Sequence, residues 1–393
     1  MIPYGKHYID ENDIQAVVDV LRSDYLTQGP IVEKFERAVA QYVGVKYAVA
    51  VSSGTAALHL ANLAADVGPG FSAVTSPITF VASANSILYA GGKVLFADIE
   101  NDTVNMSPES LEDIFETNKN IKAVIPVHFA GLPCDMSKIK EISDKYGAVI
   151  IEDASHALGA AYSSGKMVGS CENSLMTTFS FHPVKAIASG EGGMITTNDE
   201  MIYRKILRLR SHGINKLNDE LLNKSQSHTK DIKNPWYYEM QELGFNFRIT
   251  DIQASLAMSQ LTKINNFMRR RSNLASRYDL FFINYPEYFS VQNFNRDLSA
   301  NHIYVIRLNL SKLKLTRAEL MVKLLDQGVG SQVHYLPIPM HPYYSKHGYT
   351  MNKFPNSKRY YDECLSIPLY FGLTDAEQQF VISALSKFIE KRE

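Results

Sequence analysis

The feature that most constrains this chain is an alternation of short apolar runs with amphipathic stretches, from about Asp10 to Asn198. Runs at Tyr47 to Val51, Ala73 to Ser76, Lys93 to Asp98, Ala123 to Val127, Val149 to Glu152 and Met176 to Phe181 have the length and β-branched character of buried strands. Helical patterns lie between several of them, at Phe80 to Tyr89, Pro108 to Thr117 and Met136 to Tyr146. Another runs from Gly54 to Val67 and is closed by Gly68-Pro-Gly70. Alternation of this kind predicts an α/β fold, a mostly parallel sheet with helices on both faces.

Upstream, Asp10-Glu-Asn-Asp13 makes an acidic start for a helix ending near Ser23, with Ile14, Val17, Val18 and Leu21 on one face. Residues 215–239 are polar, lysine-rich and interrupted by Pro235, which predicts a long surface loop. Two long helical patterns around Asp251 to Tyr285 then lead into a smaller lobe. That lobe has strand-like runs at His302 to Leu310 and Ser331 to Tyr335, and a closing helix from Asp375 to Lys391. At 393 residues the chain exceeds one average domain. A large domain over 1–255 and a small one over 256–393 are expected.

Hydrophobic residues make up 45% and charged residues 21%, an ordinary globular balance. The net charge of −1 gives no basic excess to attract nucleic acid. Eleven histidines are scattered without metal-ligand spacing, so no metal site is expected. Cys134, Cys171 and Cys364 are few and far apart and read as reduced thiols. The N-terminus shows no basic stretch followed by an apolar run, and no window approaches the ~18 apolar residues of a membrane span. The expectation is a cytoplasmic protein with no membrane partner.

Three groups carry chemistry. Lys185 ends the run Thr178-Phe-Ser-Phe-His-Pro-Val-Lys185 and precedes Gly190-Glu-Gly-Gly193. A lysine at the end of a buried strand is partly desolvated, which lowers its pKa and frees its amine as a nucleophile. Asp153 closes Ala148-Val-Ile-Ile-Glu-Asp153, at the strand end where open α/β sheets place their ligand crevice. Ser53, Gly54 and Thr55 follow the first strand and open a helix whose free N–H groups can hold phosphate. Singly these read as a solvated lysine, a turn residue and a helix cap. Together, in this order, they are the groups a pyridoxal 5'-phosphate site requires: Schiff-base lysine, acid for the pyridine nitrogen, and phosphate cradle.

The ordered set resembles the DegT–StrS type of nucleotide-sugar aminotransferases, which share the fold-type I, aspartate-aminotransferase-like architecture. The resemblance runs nearly end to end. It includes Asp24-Tyr-Leu-Thr-Gln-Gly-Pro30, Ser52-Ser-Gly-Thr-Ala-Ala-Leu58, Thr79-Phe-Val-Ala-Ser-Ala-Asn85, Ile151-Glu-Asp-Ala-Ser-His156 and Phe179-Ser-Phe-His-Pro-Val-Lys185. Farther on come Ser211-His-Gly-Ile214, Leu243-Gly-Phe-Asn-Phe-Arg-Ile-Thr-Asp-Ile-Gln253, Gln332-Val-His-Tyr335 and Ser366-Ile-Pro-Leu-Tyr-Phe-Gly-Leu-Thr374. Met1-Ile-Pro-Tyr-Gly5, Pro126-Val-His-Phe-Ala-Gly131 and Ser155-His-Ala-Leu-Gly159 look most like the pseudaminic-acid branch, which acts on a UDP-linked 4-keto-6-deoxy-N-acetylhexosamine.

The resemblance implies further roles. Phe80 stacks on the cofactor ring, His156 lies near its phenolic oxygen, and Ser180 contacts phosphate or the surroundings of the lysine. Asn246 reaches across a homodimer interface to the neighbour's phosphate. Tyr4, the segment Asp24, Tyr25, Leu26 and Thr27, and the segment Gln332, Val333, His334 and Tyr335 contact substrate, while L-glutamate serves as amino donor. Departures from close relatives are Ser53-Gly-Thr for their Ser-Ala-Thr, Pro339-Met-His-Pro342 for their His-Leu-Gln-Pro, and Phe371 for proline. The second of these puts the identity of the sugar in doubt. Competing readings are another 4-keto or 3-keto nucleotide sugar, a non-catalytic sugar-nucleotide-binding regulator on the same scaffold, and a dehydratase. Resembling dehydratases carry histidine where Lys185 stands. A nicotinamide oxidoreductase lacks support, since no Gly-x-Gly-x-x-Gly follows a strand.

Overall fold

Seven short strands form the central sheet of the computed structural model, which describes residues 1–215, 221–292 and 294–390. They are β1 (Tyr47–Val51), β2 (Ser72–Thr75), β3 (Lys93–Phe96), β4 (Ile121–Ile125), β5 (Val149–Asp153), β6 (Met176–Ser180) and β7 (Gly193–Thr197), in the order β1-β7-β6-β5-β4-β2-β3. Neighbours from β6 to β3 pair in parallel, and β7 alone runs against both its neighbours. Gly193 sits opposite Val51 of β1 and Ser180 of β6. The mostly parallel sheet matches the expected class, and the antiparallel β7 is a finding. Its sequence, Gly-Met-Ile-Thr-Thr, follows a glycine turn and resembles the tail of a loop as much as a strand.

Helices cover both faces. They include α1 (Glu11–Leu21), α2 (Pro30–Val43), α3 (Gly54–Ala64), α4 (Val81–Tyr89), α5 (Pro108–Thr117), α6 (Met136–Tyr146) and α7 (Glu200–Arg210). Alternate strand residues feed two separate apolar layers, as a pleated strand must. Ile150 and Phe179 join Phe35, Val39, Leu111 and Ile139 beneath α2, α5 and α6. Ile151 and Met176 join Leu58, Leu60, Ile87 and Ile206 beneath α3, α4 and α7. Each such fully buried side chain contributes about 1.5–3 kcal/mol against leaving it exposed.

The face expected to bury α1 is corrected by the structure. Ile14 and Leu21 are exposed, and α1 instead buries Val20 and the carboxylate of Asp13. Asp13 can be buried because Ser259, Gln260 and Lys263 donate to it from helix Asp251–Leu261 and the turn that follows, at 2.6 Å each. Part of 215–239, residues 216–220, lies outside the described residues. Beyond it the segment holds a short helix, Lys224–Ser227, and a two-residue hairpin, His228–Thr229 with Ile232–Lys233.

C-terminal to helix Ile264–Phe282, a three-stranded antiparallel sheet (Phe289–Val291, Tyr304–Leu308, Cys364–Ile367) packs with helices Arg317–Asp326 and Asp375–Glu390. Ile2 inserts into this second core, and its backbone exchanges hydrogen bonds with Gly328 and Gly330. The run Ser331 to Tyr335 is not a strand. Its one ladder pairing with the sheet, among the described residues, is Gln332 with Ser366. The three cysteines are free and buried. Among the described residues, no helix is long and apolar enough to cross a membrane, and no cluster of metal-ligand side chains is found.

Candidate active site

The C-terminal ends of β1, β5 and β6 open on a single cavity of about 620 Å³, a usual size for a small-molecule site. Ser53, Gly54 and Thr55 enter it from the start of α3. Ser53 is the N-cap, its Oγ accepting from the amide of Ala56 at 3.1 Å. Gly54 is required by space, since a Cβ there would meet the Cβ of Ser180 at 2.8 Å. Gly193 is required for the same reason, because its Cβ would fall 2.4 Å from the carbonyl oxygen of Ser53. The helix start and the end of β6 are therefore pressed together over a strand that has no side chain at that point.

Asp153 is buried at the end of β5 and also lines the cavity. Ser83 Oγ donates to its Oδ2 at 2.7 Å, and the amide and hydroxyl of Ser155 donate to Oδ1 at 3.2 and 2.6 Å. Thr79 Oγ1 lies 2.7 Å from Ser83 Oγ and extends the chain of hydroxyls. Three donors keep the carboxylate oriented in a place where an unheld acid would be costly.

Lys185 lies in the connection from β6 to β7, its amide bonded to the carbonyl of His182, and its side chain is half-buried on the cavity wall. Desolvation lowers its pKa to about 8, and the nearby Asp153 charge opposes the shift without cancelling it. Roughly a tenth of the amine is thus neutral at pH 7, far more than for an ordinary lysine.

Three histidines surround this amine. Burial, then the charge of Lys185 and then His334, holds His156 well below the ordinary imidazole range. Burial followed by Lys185 brings His334 down to about 4. Burial followed by His156, Lys185, Arg271 and His334 lowers His302 as well. All three are neutral at neutral pH, so they offer hydrogen bonds rather than charge. His156 and His302 lie ring to ring at 4.4 Å, and each has a buried Nδ1 with no hydrogen-bond partner among the described residues. His334 Nδ1 lies 2.8 Å from Ser366 Oγ.

Of the residues singled out from sequence, the cavity gathers Tyr4, Ser53, Gly54, Thr55, Phe80, Asp153, His156, Ser180, Lys185, Gln332, Val333, His334 and Tyr335. Phe80 stands at the N-cap position of α4, is 58% exposed and lines the cavity, so its aromatic ring is accessible there. Tyr4 packs 5.4 Å from His334 and is anchored by its carbonyl, which accepts from the amide of Leu369. The cavity of this chain does not include Asp24, Tyr25, Leu26, Thr27 or Asn246. These five are exposed and belong to connected surface segments. Thr27 pairs with Thr250, Leu26 accepts from the amide of Asp251, and Asn246 pairs with Ser211.

Sequence reasoning missed Thr79, Ser83, Ser155, His182, Glu191 and His302 on or behind the cavity wall. Ser155 had a local signal, because an aspartate commonly binds the amide two residues on. Ser83 and His302 had none, since each meets the site only through tertiary packing.

The model of the DegT/DnrJ/EryC1/StrS aminotransferase family matches residues 7–386. The chain is 38% identical over 391 residues to the spore coat polysaccharide biosynthesis protein SpsC of Bacillus subtilis, covering 99% of this chain and 97% of that one. It is 36% identical over 392 residues to the UDP-4-amino-4,6-dideoxy-N-acetyl-beta-L-altrosamine transaminase of Campylobacter jejuni, covering 100% and 98%. The solved structure of Helicobacter pylori PseC, an aminotransferase involved in the biosynthesis of pseudoaminic acid, superimposes with a TM-score of 0.89 at 31% identity over 99% of both chains. This chain belongs to the DegT/DnrJ/EryC1/StrS aminotransferase family and is an aminotransferase of the α/β fold those structures share.

Proposed function

We propose that the chain is a pyridoxal-phosphate-dependent aminotransferase that moves an amino group from L-glutamate to the 4-keto group of a UDP-linked 4-keto-6-deoxy-N-acetylhexosamine, in the cytoplasmic synthesis of pseudaminic acid. The observation that carries the cofactor is the meeting of Lys185, Asp153 and the Ser53-Gly54-Thr55 helix start on one cavity. Details of this chain fit the group. Gly54 lets the helix start come up against Ser180, where a Cβ would collide, His156 presents an unpartnered buried Nδ1, and Lys185 is a lysine of lowered pKa.

In this reading the N–H groups opening α3 and the hydroxyl of Ser180 hold the phosphate. Asp153, oriented by Ser83 and Ser155, keeps a proton on the pyridine nitrogen. Phe80 offers its ring face and His156 its ring nitrogen. Pyridoxal phosphate, when bound, supplies a protonated ring that takes up the electron pair left at a substrate carbon. Lys185 would hold the cofactor and, once displaced by the amine of the donor, would take a proton from the donor's α-carbon and deliver it to the cofactor's 4′ carbon. The neutral histidines leave that proton on Lys185, because none of them competes for it near neutral pH.

Residues 1–255 form the cofactor lobe in this reading and 256–393 the smaller lobe, which brings Gln332, Val333, His334 and Tyr335 to the sugar. The working unit is a homodimer with shared sites. Exposed Tyr25, Leu26, Trp236, Tyr238, Met240 and Leu243 support this, since they put large apolar side chains in solvent on the chain segments that carry Thr27 and Asn246. The near-full-length similarity to an altrosamine transaminase favours the UDP-linked sugar. The similarity to a spore coat polysaccharide protein favours a different keto sugar of the same class. Absorbance spectra of the purified holoenzyme, before and after L-glutamate, test the chemistry. A cofactor band that shifts with glutamate is expected, and a band that stays fixed fits a binding protein instead. Greater turnover with a dTDP-linked ketosugar than with the UDP-linked one overturns the substrate.

A further inference from the structure

Behind Asp153 stands a second carboxylate that the proposed chemistry does not use. Neighbouring strand residues point to opposite faces of a sheet, so Glu152 projects away from the cavity side, and it is fully buried. Four side chains donate to it: His128 Nε2 at 2.6 Å, the Tyr162 hydroxyl at 2.5 Å, Ser174 Oγ at 2.5 Å and Thr177 Oγ1 at 3.0 Å. The amide of Cys134 donates to Nδ1 of His128 at 3.2 Å, which leaves Nε2 to give its proton to Glu152. Burial pushes the pKa of Glu152 up, but His128, Ser174 and Tyr162 together hold it below the ordinary value. A well-packed apolar side chain would fill this space without the cost of burying a charge. An apolar side chain, however, would not fix a direction.

The same histidine also holds the next residue. The amide of His128 donates to the carbonyl of Asp153 at 3.1 Å, and the amide of Asp153 donates to the carbonyl of Pro126 at 2.9 Å. Thr178 Oγ1 donates to the carbonyl of Glu152 at 3.0 Å. Both residues of the Glu152-Asp153 dipeptide are thus tied to the turn after β4 and to β6. We propose that His128 and Glu152 are positioning residues for Asp153. His128 grips Glu152 by the side chain and Asp153 by the backbone, and so sets the direction in which the Asp153 carboxylate enters the cavity. This inference rests on the role proposed above for Asp153.

Glu152→Gln keeps the volume and removes the charge, and Tyr162→Phe removes one donor while keeping the ring. Both are compared with wild type and Asp153→Asn as holoenzymes. The measurements are the pH dependence of the cofactor's absorbance band, kcat and KM for L-glutamate, and the thermal midpoint. For Glu152→Gln, kcat should fall roughly tenfold or more with KM little changed, as expected when a reacting group is misaimed rather than lost. Its band should titrate with a pKa displaced toward that of Asp153→Asn, and Tyr162→Phe should move the same way by less. If Glu152→Gln fails to fold, Tyr162→Phe decides. Variants that lower only the thermal midpoint, with band and kcat as in wild type, overturn the inference while an altered Asp153→Asn leaves the site reading intact. An Asp153→Asn band that titrates like wild type overturns both.

Discussion

The hydroxyl of Tyr335 lies 3.0 Å from Nε2 of His156, joining the 332–335 segment to the end of β5 across 179 positions of sequence. The two rings are nearly parallel, 22° apart, and His156 has no other partner for its ring nitrogens among the described residues. Tyr335→Phe keeps the ring and removes the bond, leaving a buried histidine with both nitrogens unsatisfied. The expected loss is about 1–3 kcal/mol of folding stability, read from urea denaturation. KM for the nucleotide sugar should rise as well. A variant as stable as wild type shows that the bond does not hold the 332–335 segment in place.

The amine of Lys185 supplies a pH test. Its pKa is lowered from 10.5 to about 8, so the neutral, reactive form grows as pH rises toward 8 and is nearly complete one to two units above. The rate at which apoenzyme captures pyridoxal phosphate, followed by absorbance, should climb from pH 6 and level off above about pH 9. An ordinary lysine would still be climbing at pH 10. Borohydride reduction and peptide mapping should place the label on Lys185. Lys185→Arg should keep the fold and lose turnover, since charge survives and the nucleophile does not.

Two glycines set the floor of the proposed phosphate cradle. A Cβ at Gly193 runs into the backbone of Ser53, and one at Gly54 runs into Ser180. Gly193→Ala and Gly54→Ala should each destabilise by about 1–3 kcal/mol. Gly193→Ala should cost more, because a carbonyl cannot turn aside. Both should weaken cofactor binding, measured by titrating apoenzyme. Unchanged affinity in both variants would detach the cradle from the cofactor.

The exposed Asn246 calls for a complementation test. Lys185→Ala and Asn246→Asp are each expected to be inactive alone. After subunit exchange, hybrid dimers carry one site free of both changes, so an equal mixture should recover roughly a quarter of wild-type activity. No recovery, with exchange proven by differential labelling, means that each site is built within one chain.

What could be read in the sequence follows from how local each signal is. Lys185, Asp153 and Ser53-Gly54-Thr55 were legible because each stands at the junction of an apolar strand with a turn or helix start, where α/β sheets keep their crevices. Phe80, His156, Ser180 and the 332–335 segment were legible only through resemblance to a family. Ser83 was invisible because its partner, Asp153, lies 70 residues away. The outward face of α1 misled because period alone marks Ile14 and Leu21 as buried, whereas Asp13 is drawn inward by Lys263 and Gln260. Residues 331–335 alternate as a strand does, yet only Gln332 finds a ladder partner.

The reversed strand β7 has a consequence for dimensions. Because β7 runs against β1 and β6, those two strands point the same way, and their C-terminal ends stand two strand pitches apart, roughly 10 Å. Gly193 is the mark midway between them. The backbone thus acts as a gauge block: Val51 and Ser180, from which the helix start and the lysine loop depart, are spaced by main-chain hydrogen bonds through Gly193, which side-chain motion cannot stretch. Substitutions can change the wall of the cavity, while the span between the ends of β1 and β6 stays fixed by the sheet.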